Sequence, residues 1–262
     1  MSRPLALVTG ASAGIGRSFA QQLAGSGHDL IVVARRRERL EALASELTAA
    51  HQAKVEVLVA DLATEAGLAA VAARAAAAPL ALLVNNAGFG GYRRFVELDP
   101  KVADELLSVH VRAVVQVTRA ALPAMVARQQ GGVITVASLL AFSGTVTGGF
   151  FPARAIYAGA KSFLVTFTQI LASELADTGV RVQVCLPGVV ATEFHEVQGM
   201  DLSKVPRMSA DDVARAALAG LRLGEVLCAP GMEDATPLQK IGEAQQAALA
   251  AARATTPAAR YR

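Results

Sequence analysis

The sequence predicts an α/β fold, a single domain over residues 1–262 built on a doubly wound parallel sheet of about seven strands with helices on both faces. Short β-branched runs alternate with longer helical patterns along the chain, and this alternation indicates parallel strands joined by crossover helices. Right-handed crossovers distribute the helices over both faces of the sheet. A hydrophobic content of 53% over 262 residues suffices for one large core.

The predicted elements follow one another in order, without a repeat period or a linker-like segment. The predicted strands are LALVT, LIVVA, VEVLVA, LALLVN, GVITVA, RVQVCLP and EVLCAP. The predicted helices end near Ser26 and Ala50, cover TEAGLAAVAARAAAA, extend from about Pro100 to Gln129 and from about Ile156 to Ala176, and cover SADDVARAALAGL. Ser209 and Asp212 are predicted to cap the last of these helices. A flexible tail is predicted at about 254–262.

Charge and cysteine content argue against several classes of partner. The net charge is only +3, and the basic residues are scattered except at Arg35, Arg36 and Arg37, so we expect no nucleic-acid partner. Cys185 and Cys228 lie in apolar stretches. This predicts buried free thiols in a reducing cytoplasm and no metal site.

No exported or membrane-spanning segment is expected. The first residues lack the apolar run and cleavage site of a signal peptide. Gly131 to Ala153 is uncharged over 23 positions but rich in Gly, Ser and Thr, which favours a strand followed by a loop.

The glycine-rich segment TGASAGIG, Thr9 to Gly16, lies between the first predicted strand and the helix that follows it. Gly10, Gly14 and Gly16 permit a tight turn and a close backbone approach, and the free N–H groups at a helix N-terminus bind a diphosphate. In this strand–turn–helix context the motif favours a dinucleotide site over a simple turn.

Basic residues after the second strand indicate which dinucleotide is bound. The acidic residue about 20 positions after the glycines is Asp29, but it precedes LIVVA and so lies at the wrong end of that strand. The correct end has Ala34, Arg35, Arg36 and Arg37. Because arginine binds phosphate through a bidentate fork, we predict NADP in preference to NAD, with Arg35 assigned to the 2′-phosphate and a solvated basic turn as the alternative.

The segment AIYAGAKSF places Tyr157 and Lys161 four residues apart. On a helix the two side chains lie on one face, roughly 6 Å apart along the axis. The spacing alone favours a tyrosine that packs and a lysine that reaches water.

Five motifs stand in order along the chain: TGASAGIG, NNAG at 85–88, VAS at 136–138, YAGAK at 157–161 and PGVVAT at 187–192. With these motifs the chain resembles the short-chain dehydrogenase/reductase family, in its short single-domain branch, from about Leu5 to Gly231. The resemblance implies a Rossmann-type sheet and an NADPH-dependent carbonyl reductase or alcohol dehydrogenase. Its substrate would be an apolar ketone or aldehyde, or a secondary alcohol in the reverse direction.

The same resemblance implies the catalytic residues. Tyr157 would be the general acid for ketone reduction and the base for alcohol oxidation. Lys161 would bind the ribose and, with the nicotinamide charge, lower the phenol pKa from about 10. Ser138 would hydrogen-bond the carbonyl oxygen, the alternative being an ordinary hydroxyl at a strand end.

The glycine motif, the arginines and the resemblance together imply the cofactor-binding residues. Asp61 and Leu62 would flank the adenine, although Asp61 suits a helix cap nearly as well. Val190 and Thr192 would meet the nicotinamide carboxamide. The full set is Gly10, Ser12, Gly14, Ile15, Gly16, Arg35, Arg36, Asp61, Leu62, Asn86, Ala87, Gly88, Tyr157, Lys161, Pro187, Val190 and Thr192.

Histidine replaces the usual asparagine of the family on the long helix. His110, in the segment VHV, is therefore a candidate for the catalytic proton relay, able to carry a proton near neutral pH. A histidine that merely fills space is the alternative. His28, His51 and His195 have no partner at metal-ligand spacing, and we expect them at the surface or in lid packing.

An insertion of about six residues separates the serine and tyrosine motifs, compared with the family pattern. It contains Gly144, Gly148, Gly149, Phe150 and Phe151. This composition predicts a mobile flap that closes an apolar pocket, or else a surface or subunit-contact loop.

The sequence leaves alternatives to a reductase. A catalytically silent NADP-binding sensor is the alternative function, whereas an epimerase or dehydratase would need a larger C-terminal domain than the residues after Gly231 allow.

The segment at about 193–208 corresponds to the variable substrate lid of the family. The family also suggests a homodimer or homotetramer formed through the two long helices.

Overall fold

Seven parallel strands form the main sheet of the molecule, a computed structural model that describes residues 3–146, 151–202, 204–253 and 255–262. The strands are β1 Leu5–Thr9, β2 Asp29–Ala34, β3 Val55–Val59, β4 Leu80–Asn85, β5 Gly131–Val136, β6 Val180–Cys185 and β9 Leu227–Cys228. Two short strands, β7 Val190–Ala191 and β8 Met208–Ser209, pair with each other outside this sheet.

The helices alternate with the strands. They are α1 Gly14–Gly25, α2 Arg37–His51, α3 Glu65–Ala77, α4 Pro100–Leu107, α5 Ala113–Ala127, α6 Ala155–Glu174, α7 Glu193–Glu196, α8 Ala210–Leu223 and α9 Thr236–Ala251.

The strand order confirms the predicted doubly wound sheet. The order is β3-β2-β1-β4-β5-β6-β9, and each neighbouring pair is parallel. The chain winds outward from β1 in one direction and then restarts at β4 in the other. The crevice beyond the carboxyl ends of β1 and β4 is therefore the expected ligand site.

Both faces of the sheet are covered by apolar side chains. Ala6 and Val8 of β1 pack into one core cluster together with Phe19 of α1, whereas Leu7 packs into a second cluster together with Val117 of α5. Successive side chains of a strand point to opposite faces, so a strand covered on both sides is apolar at every position. This explains the unbroken apolar runs of the sequence.

The long helix predicted from about Pro100 to Gln129 is interrupted. A π-helical turn at Ser108–Arg112 separates α4 from α5. Such single wide turns inside α-helices often occur at functional sites, and this turn carries His110. Its presence could not be predicted, because the hydrophobic pattern continues through it.

Two local predictions are confirmed by hydrogen bonds and burial. The Ser209 hydroxyl oxygen accepts a 3.0 Å hydrogen bond from the Asp212 N–H and so caps α8. Cys185 and Cys228 are buried free thiols, at paired positions of β6 and β9.

Helix α6 is long and apolar enough, by length and composition alone, to cross a membrane. It nevertheless buries Tyr157, Leu164 and Lys161 and packs against β6. One side of α6 therefore packs against the sheet, and 33% of its apolar window is buried.

The chain divides into two units, Met1–Pro230 and Gly231–Arg262. The first contains the sheet. The second contains α9 and a short 3₁₀ turn at Ala259–Tyr261, which falls within the predicted tail.

Candidate active site

A cleft of about 1060 Å³ opens at the carboxyl edge of the sheet. Of the predicted site residues, Gly16 alone does not line this cleft. Those that line it are Gly10, Ser12, Gly14, Ile15, Arg35, Arg36, Asp61, Leu62, Asn86, Ala87, Gly88, His110, Ser138, Tyr157, Lys161, Pro187, Val190 and Thr192.

The glycine turn has the backbone that a dinucleotide site requires. Gly10 and Gly14 have φ of +70° and +52°, values that residues with a side chain rarely adopt. A Cβ on Gly16 would lie 2.4 Å from the Gly10 carbonyl oxygen, so Gly16 allows the helix to pack against the turn. Ala13 provides no side-chain cap to α1. The first N–H groups of α1 therefore remain available to a diphosphate, and this cradle fits a dinucleotide.

Hydrogen bonds hold the glycine turn against the loop after β4. The Thr9 hydroxyl oxygen accepts from the N–H groups of Asn86 and Ala87 at 2.9 and 3.0 Å. The Asn86 side-chain amide donates to the Thr9 carbonyl oxygen at 2.9 Å. Asn86 thus positions the two loops that line the cleft.

The arginines after β2 differ in their partners. Arg35 has a long contact of 3.7 Å with the Asp61 carboxylate. The Arg36 guanidinium donates to the Ser12 hydroxyl through Nε and Nη2 at 3.2 and 3.0 Å, and its Nη2 lies 2.6 Å from a Glu193 carboxylate oxygen. Of the two arginines, Arg36 is therefore the one fixed beside the glycine turn.

Asp61 does not cap a helix. Its carboxylate accepts from the Ala63 N–H at 2.9 Å, while Thr64 caps α3 by accepting from the Gly67 N–H at 3.1 Å. The capping alternative for Asp61 is therefore wrong, because a threonine three residues later takes that place.

Ser138, Tyr157 and Lys161 meet in the cleft where β5 ends and α6 begins. The Lys161 Nζ lies 5.5 Å from the centroid of the Tyr157 ring and donates to the Val136 carbonyl oxygen at 2.9 Å. Ser138 interacts with the Tyr157 phenol in the direction that lowers its pKa, and the Ser138 hydroxyl accepts from the Leu140 N–H at 3.1 Å. Ser138 therefore both contacts the phenol and caps the turn after β5.

Burial governs the titration of these groups. Burial raises the pKa of Tyr157 well above its ordinary value and lowers the pKa of Lys161 to about 7. We expected the lysine cation to lower the phenol pKa. In this structure burial of the phenol has the opposite effect and raises its pKa. Tyr157 is therefore a protonated phenol at neutral pH.

His110 is 1% exposed and lies beside the catalytic groups. Its Nε2 is 2.7 Å from the Phe89 carbonyl oxygen, and its ring centroid is 5.5 Å from that of Tyr157. Burial, and then the charge of Lys161, lower its pKa well below 6.5. The expectation that His110 carries a proton near neutral pH is therefore wrong, since this buried imidazole stays neutral.

An aromatic cluster around Tyr157 was not predicted. The Tyr92 and Tyr157 phenols interact with each other, and their ring centroids are 5.3 Å apart. His195 stacks on Tyr92 at 6.4 Å, and Phe194 lies 6.2 Å from Tyr157. Burial raises the pKa of Tyr92 to about 12. In sequence, Tyr92 and the lid are more than 100 residues apart, so no local pattern reveals this contact.

Arg154 holds the two ends of the insertion together. Its guanidinium donates to the Ser143 hydroxyl at 2.8 Å and to the Val146 and Pro152 carbonyl oxygens at 3.0 and 2.9 Å. Val146 and Phe151 line the cleft. The predicted flap residues Gly148, Gly149 and Phe150 lie outside the described residues.

Among the described residues, no group of three or more His, Cys, Asp or Glu side chains could hold a metal ion.

Comparisons with curated proteins identify oxidoreductases. Residues 4–202 match the family model for short chain dehydrogenase. Over 256 residues the chain is 34% identical to galactitol 2-dehydrogenase (L-tagatose-forming) of Cereibacter sphaeroides, covering 98% of this chain and 89% of that protein. It is 33% identical over 201 residues to a very-long-chain 3-oxoacyl-CoA reductase of Pyrenophora tritici-repentis, covering 74% of this chain but only 57% of that protein.

Solved structures share the whole fold. A short-chain dehydrogenase from Sphingobium yanoikuyae in complex with NADPH is 32% identical, with a TM-score of 0.92, over 98% of this chain and 100% of that chain. The bulky-bulky ketone specific alcohol dehydrogenase from Comamonas testosteroni is 28% identical, with a TM-score of 0.89, over 100% of this chain and 99% of that chain. On its motifs, its sheet and these matches, the chain belongs to the short-chain dehydrogenase/reductase family.

Proposed function

We propose that the chain is an NADP(H)-dependent oxidoreductase that interconverts a bulky, apolar ketone or aldehyde and the corresponding alcohol. The observation that carries this proposal is the convergence of Ser138, Tyr157 and Lys161 in the cleft that the glycine turn also lines. A silent sensor has no need for all three groups in contact.

The cofactor is NADP(H), which supplies or accepts the hydride. The glycine turn and the N-terminus of α1 would hold its diphosphate, Arg36 its 2′-phosphate and Lys161 a ribose. No acid stands at the carboxyl end of β2, where an NAD-specific site holds the ribose hydroxyls. The NADPH complex of the similar Sphingobium protein supports this choice.

Tyr157 performs the proton transfer. Its raised pKa keeps the phenol protonated, so in the reducing direction it donates its proton to the carbonyl oxygen as the carbonyl carbon receives hydride. Ser138 donates a second hydrogen bond to the same oxygen, which stabilises the charge that develops there. In the oxidising direction Tyr157 takes the proton back from the alcohol.

The substrate end of the cleft favours a bulky apolar molecule. Its lining includes Leu139, Val146, Phe151, Phe194, Val197, Met200, Leu202 and Val205. Such a surface gains free energy by burying a substrate's apolar groups. The bulky ketones named for the Comamonas relative are consistent with this size and polarity.

The chain forms a cytoplasmic homo-oligomer through α6. Phe163 and Ile170 are 40% and 57% exposed on the outer side of this helix, and Phe163 stacks on Phe167 at 5.7 Å. Light scattering should give a dimer or tetramer, and Ile170→Lys should reduce the mass. A monomeric wild type would contradict this assembly.

The test is NADPH and NADH oxidation with ketones, aldehydes, steroids, acyl thioesters and ketoses. We expect NADPH to be preferred and bulky apolar ketones to give the highest kcat/KM. Arg36→Ala should raise the KM for NADPH and leave the KM for NADH unchanged. Arg35→Ala, at the neighbouring position, is the matched control. Equal use of NADH, or no oxidation with any carbonyl compound, would overturn the proposal.

A further inference from the structure

The Glu193 carboxylate bridges two arginines at the start of α2. One oxygen lies 2.6 Å from Arg36 Nη2 and the other lies 2.8 Å from Arg39 Nη1. The hydrogen bond from Arg36, above all, lowers the pKa of this carboxyl group. Glu193 is therefore an anion that engages both guanidinium groups at neutral pH.

This pairing occupies the guanidinium that we assign to the cofactor. Arg36 also donates to Ser12 in the glycine turn, and Ser12, Arg36 and Glu193 all line the same cleft. A carboxylate and a phosphate monoester bind the same fork of an arginine. The carboxylate and the phosphate would also repel each other if both contacted the same guanidinium.

We propose that Glu193 is a latch that competes with the 2′-phosphate of NADP(H) for Arg36, so that binding of the phosphate releases helix α7. The inference rests on the proposed function, because it requires Arg36 to receive that phosphate. A cofactor without the 2′-phosphate leaves the latch closed.

Helix α7 connects this latch to the reacting groups. Glu193 is followed directly by Phe194, whose ring lies 6.2 Å from that of Tyr157, and by His195, which stacks on Tyr92. Thr192 caps α7 through the Phe194 N–H. Release of Glu193 therefore frees the segment that covers the phenols, and coupling of this kind acts equally in both directions.

Calorimetry with two probes tests the competition in the full chain. The probes are 2′,5′-ADP, which carries the phosphate, and 5′-AMP, which lacks it. Glu193→Gln should bind 2′,5′-ADP about threefold to tenfold more tightly than wild type, since two partly exposed ion pairs are lost, and should bind 5′-AMP equally. The matched control is Glu196→Gln, on the same helix. Glu196 is exposed and makes none of the ion pairs found in the described part of the chain.

The outcomes separate the latch from the proposed cofactor. If wild type prefers 2′,5′-ADP and Glu193→Gln binds it no more tightly, the latch is wrong and NADP(H) stands. Equal tightening in Glu196→Gln would indicate a general charge effect and also overturn the latch. If no form distinguishes the probes, both proposals fail. If only Glu193→Gln prefers 2′,5′-ADP, the latch is supported and the NADP preference of the wild type is wrong.

Hydrogen exchange tests the release of α7. Saturating 2′,5′-ADP should speed amide exchange over 193–196 in wild type, whereas saturating 5′-AMP should not. No difference between the two probes would overturn the release.

Discussion

The Nε2 atom of His110 lies 2.7 Å from the carbonyl oxygen of Phe89, and its Nδ1 is buried without a hydrogen-bond partner among the described residues. The same Nε2 also lies 3.2 Å from the Phe89 N–H, so the carbonyl oxygen and the N–H of this residue suit opposite tautomers of the imidazole. In either tautomer Nδ1 is left to form a further hydrogen bond, on a ring whose centroid lies 5.5 Å from that of Tyr157. This is the position from which a water molecule could be held for proton exchange.

We predict that His110→Ala slows turnover by about tenfold to a hundredfold and alters its pH profile, because the relay loses its imidazole. His110→Asn should retain most of the rate, since its amide provides both a hydrogen-bond donor and an acceptor, as the imidazole does. Steady-state kinetics between pH 6 and 10 would measure this. A normal rate and pH profile in the alanine variant would exclude the relay.

His110 should also make the fold sensitive to acid. Below its ordinary pKa of 6.5 the unfolded chain takes up a proton at this imidazole, whereas the buried imidazole does not. Stability is therefore lost as the pH falls below 6.5, by up to about 1.4 kcal/mol per pH unit. Urea unfolding at pH 5 and 7 should show a smaller loss in His110→Asn than in wild type. Identical losses would show that His110 titrates normally in the folded chain.

We predict that Lys161→Met stabilises the protein while abolishing activity. Lys161 has a pKa of about 7 in the folded protein and 10.5 ordinarily. Between these two pH values the unfolded chain binds the proton more strongly. The stability of the wild type therefore falls as the pH is lowered from 10.5 to 7. Methionine removes this cost, so the free energy of unfolding of Lys161→Met at pH 7.5 should exceed that of the wild type by about 1 to 3 kcal/mol. A less stable Lys161→Met would mean that the bond to Val136 outweighs burial.

Two neighbouring phenols allow the proton donor to be identified. Tyr157→Phe should abolish turnover yet bind NADPH normally, because only the proton donor is lost. Tyr92→Phe, its matched control, removes the adjacent hydroxyl and should keep most of the rate. Single-turnover reduction and NADPH fluorescence would separate chemistry from binding. Substantial activity in Tyr157→Phe would assign the acid elsewhere.

Phe151 should select for substrate size. It lines the cleft and stacks under the Arg154 guanidinium at 5.0 Å. Phe151→Ala should raise the KM for bulky apolar ketones by about threefold to tenfold, through lost apolar contact, with little effect on small ketones. Phe95→Ala removes an equally large ring that does not line the cleft, and should change neither. An unchanged ranking of substrates in Phe151→Ala would contradict this role.

The sequence predicted the sheet and most of the cleft because both depend on local requirements. The glycine positions reflect backbone geometry that other residues rarely adopt. One turn of helix is enough to place Tyr157 and Lys161 on the same face. Because the strands are parallel, their carboxyl ends bring the motifs together at one edge of the sheet.

Contacts between distant segments could not be predicted in this way. Glu193 meets Arg36 only because the lid passes over the start of α2, and Tyr92 meets Tyr157 across the cleft. The neutral state of His110 depends on burial by groups from several elements, and a residue type alone cannot reveal that.

Arg154 closes the insertion at its base, where one guanidinium joins Ser143 and Val146 on one side to Pro152 on the other. Because the ends are held by this residue, the length of chain between them can change without moving β5 or α6. Each doubling of a closed loop costs only about 0.6 kcal/mol. The position is therefore suited to exchange of whole segments by an engineer, who could graft loops of other lengths over the cleft and keep the catalytic groups in place.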